Sequence, residues 1–289
     1  MANSAAHRFG QIIGDLLEDT IIRYCKLIAD EYEMYLDYKH PRQARDNNKE
    51  VKWKDINDNT HKLDIVIERE GSEAEYGTPK AFIEVAWRRY TKHSKNKVQE
   101  ISAAIKPLVQ LYSEACPFYG AVLAGEFTNN SLNQMRSEGF KLLHFSNEAI
   151  EEAFASQGIN AHWEEGTSEK ELQERIDQFN ALSKEQIKAI GDILMKNNIA
   201  QWESFLQCLR NALERKIKII YITSLFGISK VFSNVQDACN YVAFDEEEIS
   251  FNHNTFRGYE IVVEYSNGDK INMHFKEKQM ALASLNRLR

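Results

Sequence analysis

The sequence predicts an α/β fold: a mixed sheet flanked by helices in the order α-β-β-β-α-β, followed by a mainly helical α+β part. Three observations lead there. An amphipathic stripe opens the chain, three short strand-like segments follow it, and later apolar runs alternate with helical patterns in the manner of parallel crossovers. Composition agrees, because 289 residues with 43% apolar, 11% aromatic and 27% charged side chains suit packed globular domains and exclude disordered, collagenous or coiled-coil chains.

The first helix is expected from Arg8 to about Tyr35, where Phe9, Ile12, Ile13, Leu16, Leu17, Ile21, Tyr24 and Ile28 recur at three- and four-residue spacing. A polar loop with a basic cluster (Lys39, His40, Arg42, Arg45) leads into VKWKDI, then HKLDIVIE and, beyond the turn-rich GSEAEYGTP, KAFIEVAW. Each segment is short, apolar or alternating, and bounded by Asn, Asp, Gly or Pro, so three strands are predicted. Ser94 can cap the next helix, whose Val98, Ile101, Ile105, Leu108, Val109 and Tyr112 form one stripe ending near Cys116 and Pro117. FYGAVLAGEF then reads as a buried strand, 130–137 as a short helix, KLLHF as a strand and 148–156 as a helix.

Around 164–174 the chain turns polar and acidic, which sets an expected boundary between a first domain over 1–165 and a second over 166–289. The second carries helical patterns near 168–181, 184–196 and 200–215, an apolar strand KIIYIT and a helix near 234–243. A hairpin YEIVVEYSNGDKINMHF turns on Asn267 and Gly268, and KQMALASLNRL closes the chain as a helix.

The 36 basic and 43 acidic side chains leave a net charge of −7, which argues against non-specific coating of nucleic acid but leaves room for a local basic groove. No apolar run approaches the roughly 18 residues that span a bilayer, and MANSAAHRFGQ lacks the blocks of a secretory leader, so a cytoplasmic location without a membrane partner is expected. Cys25, Cys116, Cys208 and Cys239 lie far apart without CxxC spacing and are expected as reduced thiols. The eight histidines show no HxH or HExxH spacing, and no GxGxxG after a strand, GxxxxGK(S/T) or GxSxG occurs. Zinc hydrolase, nucleotide-loop and serine hydrolase chemistry are therefore not expected, nor is an organic cofactor.

The informative stretch is 61–100. In HKLDIVIE, Leu63, Ile65 and Ile67 share one face and leave Asp64 on the other; in KAFIEVAW, Glu84 lies opposite Ile83, Val85 and Trp87. A hairpin closed symmetrically over 71–79 sets Asp64 against Ala86, with Glu84 its same-face diagonal neighbour at about 7–8 Å. Two like charges so placed cost free energy unless neutralised. A hard divalent ion does that, and Mg²⁺ takes one or two carboxylates while keeping waters and phosphate oxygens. From Arg88 to Lys106 come six basic residues (Arg88, Arg89, Lys92, Lys95, Lys97, Lys106) against one acid, Glu100, which suits a polyanion brought to a metal. Taken singly, either acid also reads as a satisfied structural residue, and a charge run as a solvated face. DYKHPRQAR, likewise, could track phosphates through Arg42 and Arg45 or form a solvated loop.

Over roughly residues 8–155 these features resemble the PD-(D/E)xK nuclease superfamily, the restriction-endonuclease-like fold: Asp64 in KLDIVIE, Glu84 twenty residues later in AFIEVAW, then a helix and an apolar strand. The resemblance implies that Asp64, Glu84 and the carbonyl of Val85 bind Mg²⁺, with Mn²⁺ able to substitute. In many members an acid on the first helix joins the site. Glu18 matches that position, on a ridge with Gly10 and Gly14 that would let the helix approach another backbone closely. The lysine that should stand two residues after the glutamate is replaced by Ala86, and Lys97 on the following helix is the candidate substitute, with Lys95 and Lys92 behind it.

What the resemblance implies is an Mg²⁺-dependent DNA endonuclease, foremost a type II restriction enzyme that recognises a specific duplex sequence as a homodimer. Asp64, Glu84, Lys97 and Glu18 would be catalytic, with Arg88, Arg89, Lys92, Lys95, Arg42 and Arg45 toward the DNA, and 166–289 would supply target contacts or a dimer surface. A repair or structure-specific nuclease with the same core, and a non-catalytic nucleic-acid-binding module, are the alternatives left open.

Overall fold

The computed structural model describes residues 4–115, 117–224, 228–244, 258–266 and 268–288, without the side chains of Lys92 and His93. Helix α1 (Ala5–Glu31) begins where the Ser4 side chain accepts the His7 N–H, and it buries Phe9, Ile13, Leu16, Leu17, Ile21, Cys25 and Ile28 on one stripe. It stops four residues before the expected end. Glu33 takes a left-handed φ of 53°, its N–H donates to the Asp30 carbonyl, and the Met34 N–H donates to the Ala29 carbonyl at 2.8 Å. That is a Schellman closure with glutamate in the place usually held by glycine. It frees Tyr35–Asp37 to form strand β1, a strand that the sequence reading, with its helix ending at about Tyr35 and a loop beyond, does not expect.

Strands β2 (Val51–Lys54) and β3 (Thr60–Leu63) pair as a small antiparallel sheet of their own. HKLDIVIE is therefore two strands where one was expected. The chain breaks at Asp64 and enters β4 (Ile65–Arg69), which joins the main sheet between β1 and β5 (Thr78–Arg88). Helix α2 (Thr91–Leu111) crosses over to β6 (Phe118–Gly125), and β7 (Lys141–Phe145) completes the order β1-β4-β5-β6-β7. The pairs β1/β4 and β4/β5 are antiparallel, while β5/β6 and β6/β7 are parallel. Its middle is dry, with Ile65, Val66, Phe82, Ala121, Val122 and Leu123 fully buried, as a sheet covered on both faces requires. Helices α3 (Asn129–Ser137) and α4 (Asn147–Ala155) are capped by Thr128 and Ser146. Helix α2 starts three residues ahead of its expected cap, and the Ser94 hydroxyl donates instead to the Thr91 carbonyl at 2.8 Å.

The polar stretch near residue 165 is not a boundary. It opens α5 (Glu169–Asn180), whose acid-rich side faces solvent while Leu172 and Ile176 are buried. Helices α5 and α6 (Lys184–Asn197) pack on α1, tied by Arg23 to Asp192 at 2.6 Å and by the Ala5 N–H to Glu169 at 2.7 Å. The first compact unit thus comprises Met1–Leu111 and Pro117–Arg210, including most of α7 (Ile199–Leu213).

The second unit, Tyr112–Cys116 with Asn211–Arg289, holds an antiparallel sheet in the order β11-β10-β8-β9. Its strands are β8 (Ile217–Ser224), β9 (Ile228–Phe232), β10 (Tyr259–Tyr265) and β11 (Lys270–Phe275). Helices α8 (Val235–Phe244) and α9 (Lys278–Asn286) share a core with Ile220, Ile222, Ile261 and Val263. The β10–β11 hairpin forms as the pattern predicts; Gly268 takes a φ of 88°, and Asn267 lies outside the described residues. Cys25, Cys208 and Cys239 are free thiols, and Cys116 lies outside the described residues.

Arg42 and Arg45, expected at a DNA surface, are buried in the first unit. The Arg42 guanidinium donates to Asp37 of β1 at 2.8 Å, to Glu68 of β4 at 2.6 Å, and to the carbonyls of Ser72 and Glu75. The rings of Tyr35 and Tyr76 lie 4.3 and 4.7 Å from it. Arg45 closes on Asp37 and on the Tyr38, His40 and Asn48 carbonyls. These donors are spent inside the protein and leave nothing for phosphate. Arg42→Ala leaves the buried Glu68 without its cation, while Asp37 keeps Arg45, and is expected to cost about 3–5 kcal/mol in urea unfolding, whereas Lys26→Ala, at the exposed pair with Asp30, should change stability by about 0.5 kcal/mol or less.

Candidate active site

Register builds the site. Ile65 pairs with Ile83, so Asp64, just before the strand, stands opposite Glu84. The sequence expectation put Asp64 against Ala86; the ladder is offset from it by two residues and bulges between Ile67 and Glu68. Each acid then grips the other's strand. The Asp64 N–H donates to Glu84 Oε1 at 3.3 Å, and the Val85 N–H donates to Asp64 Oδ2 at 2.8 Å.

Glu84 is 5% exposed and Asp64 is partly buried. Burial pushes the Glu84 carboxyl well above its ordinary range, the Asp64 charge adds to it, and Lys97 opposes it. Burial also raises Asp64, against the Val85 hydrogen bond and the Lys97 charge. Lys97 projects from the second turn of α2 with its side chain 15% exposed, and its Nζ donates to Glu100 at 2.8 Å. Its charge bears on both acids. Glu18 on α1 belongs to the same cluster. Burial and then the Asp64 charge raise its carboxyl from an ordinary 4.5 to about 7, partly offset by Lys39. Glu100 and Lys39, which no motif singles out, complete the local field.

Beside the acids lies a cleft of about 710 Å³ lined by Gly10, Gly14 and Glu18 of α1, Val85–Arg88 of β5, Arg89, Tyr90, Lys97 and Trp163. Gly10 serves a close approach, but to a side chain: a Cβ there would sit 2.8 Å from the Trp87 ring. A Cβ on Gly14 would meet nothing within 4 Å, so that glycine opens the cleft. Trp87 and Trp163 stack at 5.7 Å, and Arg89 lies 4.9 Å over Trp163 and donates to its carbonyl. Arg88 donates to the Trp87 carbonyl at 2.8 Å. Lys95 is exposed on α2 outside the cleft lining, and the Lys92 side chain lies outside the described residues.

Among the described residues no group of three or more His, Cys, Asp and Glu side chains is placed to hold a metal ion. The acid pair nevertheless suits a hard divalent cation, since two carboxylates with Val85 alongside are the share of ligands that Mg²⁺ takes from protein. Their shared burial with one lysine leaves negative charge for a cation, or protons, to neutralise.

No family model matches the chain, and no curated protein matches it. Among solved structures it is similar to a protein of unknown function, AF1548, at 12% identity and a TM-score of 0.30, over 64% of this chain and 99% of the other. A likeness that remote decides neither fold nor chemistry.

Between pH 4.5 and about 7 the folded protein keeps a proton on Glu18 that the unfolded chain has released. The stability this contributes is complete below pH 4.5 and is lost as pH rises to 7. Glu18→Gln removes that slope, so in metal-free buffer the variant's stability minus that of the wild type should widen with pH across the window in urea melts, by well under the roughly 1.4 kcal/mol per unit of a fully shielded group because solvent still reaches Glu18. A gap independent of pH would detach Glu18 from the acid cluster.

Proposed function

We propose that this protein is an Mg²⁺-dependent endodeoxyribonuclease of the restriction-endonuclease-like, PD-(D/E)xK architecture. The observation that carries the reading is the facing pair Asp64–Glu84, the first partly buried at the start of β4 and the second buried on β5, with Lys97 as a cation acting on both. The order α1-β1-β4-β5-α2-β6, antiparallel through β5 and parallel beyond it, supports it as the arrangement the resembled family uses. In this reading Asp64, Glu84 and Val85 hold the ion. The metal, when bound, supplies an acidified water and charge stabilisation at phosphorus. Lys97, held by Glu100, offsets charge that builds on the scissile phosphate. Glu18, titrating near neutrality, takes up a proton through water.

The acid pair serves a restriction enzyme, cutting a specific duplex sequence as a homodimer, and a structure-specific repair nuclease alike. The aromatic lining of the cleft favours the second.

Plasmid DNA incubated with the purified protein and Mg²⁺ or Mn²⁺ tests the proposal. Asp64→Asn and Glu84→Gln are each expected to lower cleavage by about 10²-fold or more and to abolish the metal-induced rise in melting temperature. Lys97→Ala should lose cleavage and keep that rise. Full cleavage by both acid variants, with the fold intact, would falsify the site. Discrete fragments from intact duplex would favour the restriction type.

A further inference from the structure

We infer that the cleft beside the acid pair receives one unpaired nucleoside, so that the substrate strand is bound single-stranded or with a base turned out of the duplex. The inference rests on the proposed nuclease reading and names the substrate of that site. Its first ground is size and wall chemistry. About 710 Å³ is the volume of a small-ligand pocket, enough for a nucleoside and its phosphate. The wall offers the partly exposed Trp87 ring and Tyr90, 41% exposed, beside Arg88 and Arg89, while Trp163, 4% exposed, backs Trp87 from the interior. Aromatic rings interleaved with arginines are the surface on which unstacked bases bind, since every base offers a π face while arginine meets the backbone charge.

Gly14 is the second ground. A glycine inside a helix is less favourable than alanine, and a Cβ at this position would meet nothing within 4 Å. The glycine keeps the space clear. Because Glu18, Val85 and Lys97 line the same cleft, a nucleoside seated there has its phosphate beside the acid pair.

Filling the cleft while leaving the acids alone separates this inference from the nuclease reading. Gly14→Leu improves helix propensity and its Cβ meets nothing within 4 Å, so the variant is expected to fold, as circular dichroism would verify. Tyr90→Ala removes an exposed ring as a second probe. Fluorescence anisotropy, with Ca²⁺ replacing Mg²⁺ to prevent cleavage, compares a short labelled oligothymidylate with a blunt duplex of equal length. The wild type is expected to bind the single strand at least about tenfold more tightly than the duplex, and each variant to lose most of that preference. Equal or tighter duplex binding, no binding to either probe, or variants that keep the wild-type preference would each overturn it. Whether wild-type protein cuts DNA in Mg²⁺ is read in a separate assay. An inactive protein that still prefers the single strand would defeat the nuclease reading alone, and an active one indifferent to single strands would defeat only this inference.

Discussion

The buried guanidinium of Arg42 ties together the parts of the sheet that everything else depends on. It bridges Asp37 of β1 and Glu68 of β4 while holding the carbonyls of Ser72 and Glu75 in the connection to β5, and Glu68 in turn accepts the Gly77 N–H at 2.7 Å. Charges at this depth tolerate no slippage, because displacing one leaves its partners unpaired in a dry interior. The strand bulges at this point, between Ile67 and Glu68, and the ladder beyond the bulge sets Asp64 opposite Glu84. An ionic clamp at one end of β4 thereby sets the geometry of the acids at the other.

The sheet carries two pairs of acids, and their surroundings differ. Asp37 and Glu68 have Arg42 and Arg45 between them, with backbone donors in addition. Asp64 and Glu84 have two backbone N–H groups and the fields of Lys97, itself shared with Glu100, and, at Asp64, of Lys39. The first pair is closed by protein, and the second keeps a demand for positive charge that solvent protons or a metal can meet. In the proposed reading, this open demand beside a cleft is what sets the second pair apart from the structural ion pair.

Much of the first unit is legible in the chain. The stripe from Phe9 to Ile28, the apolar run of β6 and the order of strands and helices follow from side-chain periodicity, which local burial imposes. Asp64 and Glu84 were visible because a charged residue amid strand hydrophobics is conspicuous. Other features were illegible for identifiable reasons. A three-residue β1 is too short to show a period. The break at Asp64 divides residues between two sheets without changing their alternation. Arg42 and Arg45 look like solvated loop charges until Asp37 and Glu68, 5 and 26 residues from Arg42, fold against them. The acidic surface of α5 resembles a linker because its outer face is polar, although its inner face packs on α1.

The sequence by itself determined the α/β class, the extent of most elements and the two acids worth examining, since these depend on spacing within one segment. Tertiary structure decided the register that sets those acids face to face, the fate of each arginine, the joining of α5 and α6 to the first unit, and the cleft that Gly14 leaves open. Each of these depends on groups far apart in the chain, where only packing and the desolvation of charge discriminate among alternatives that local periodicity leaves equal.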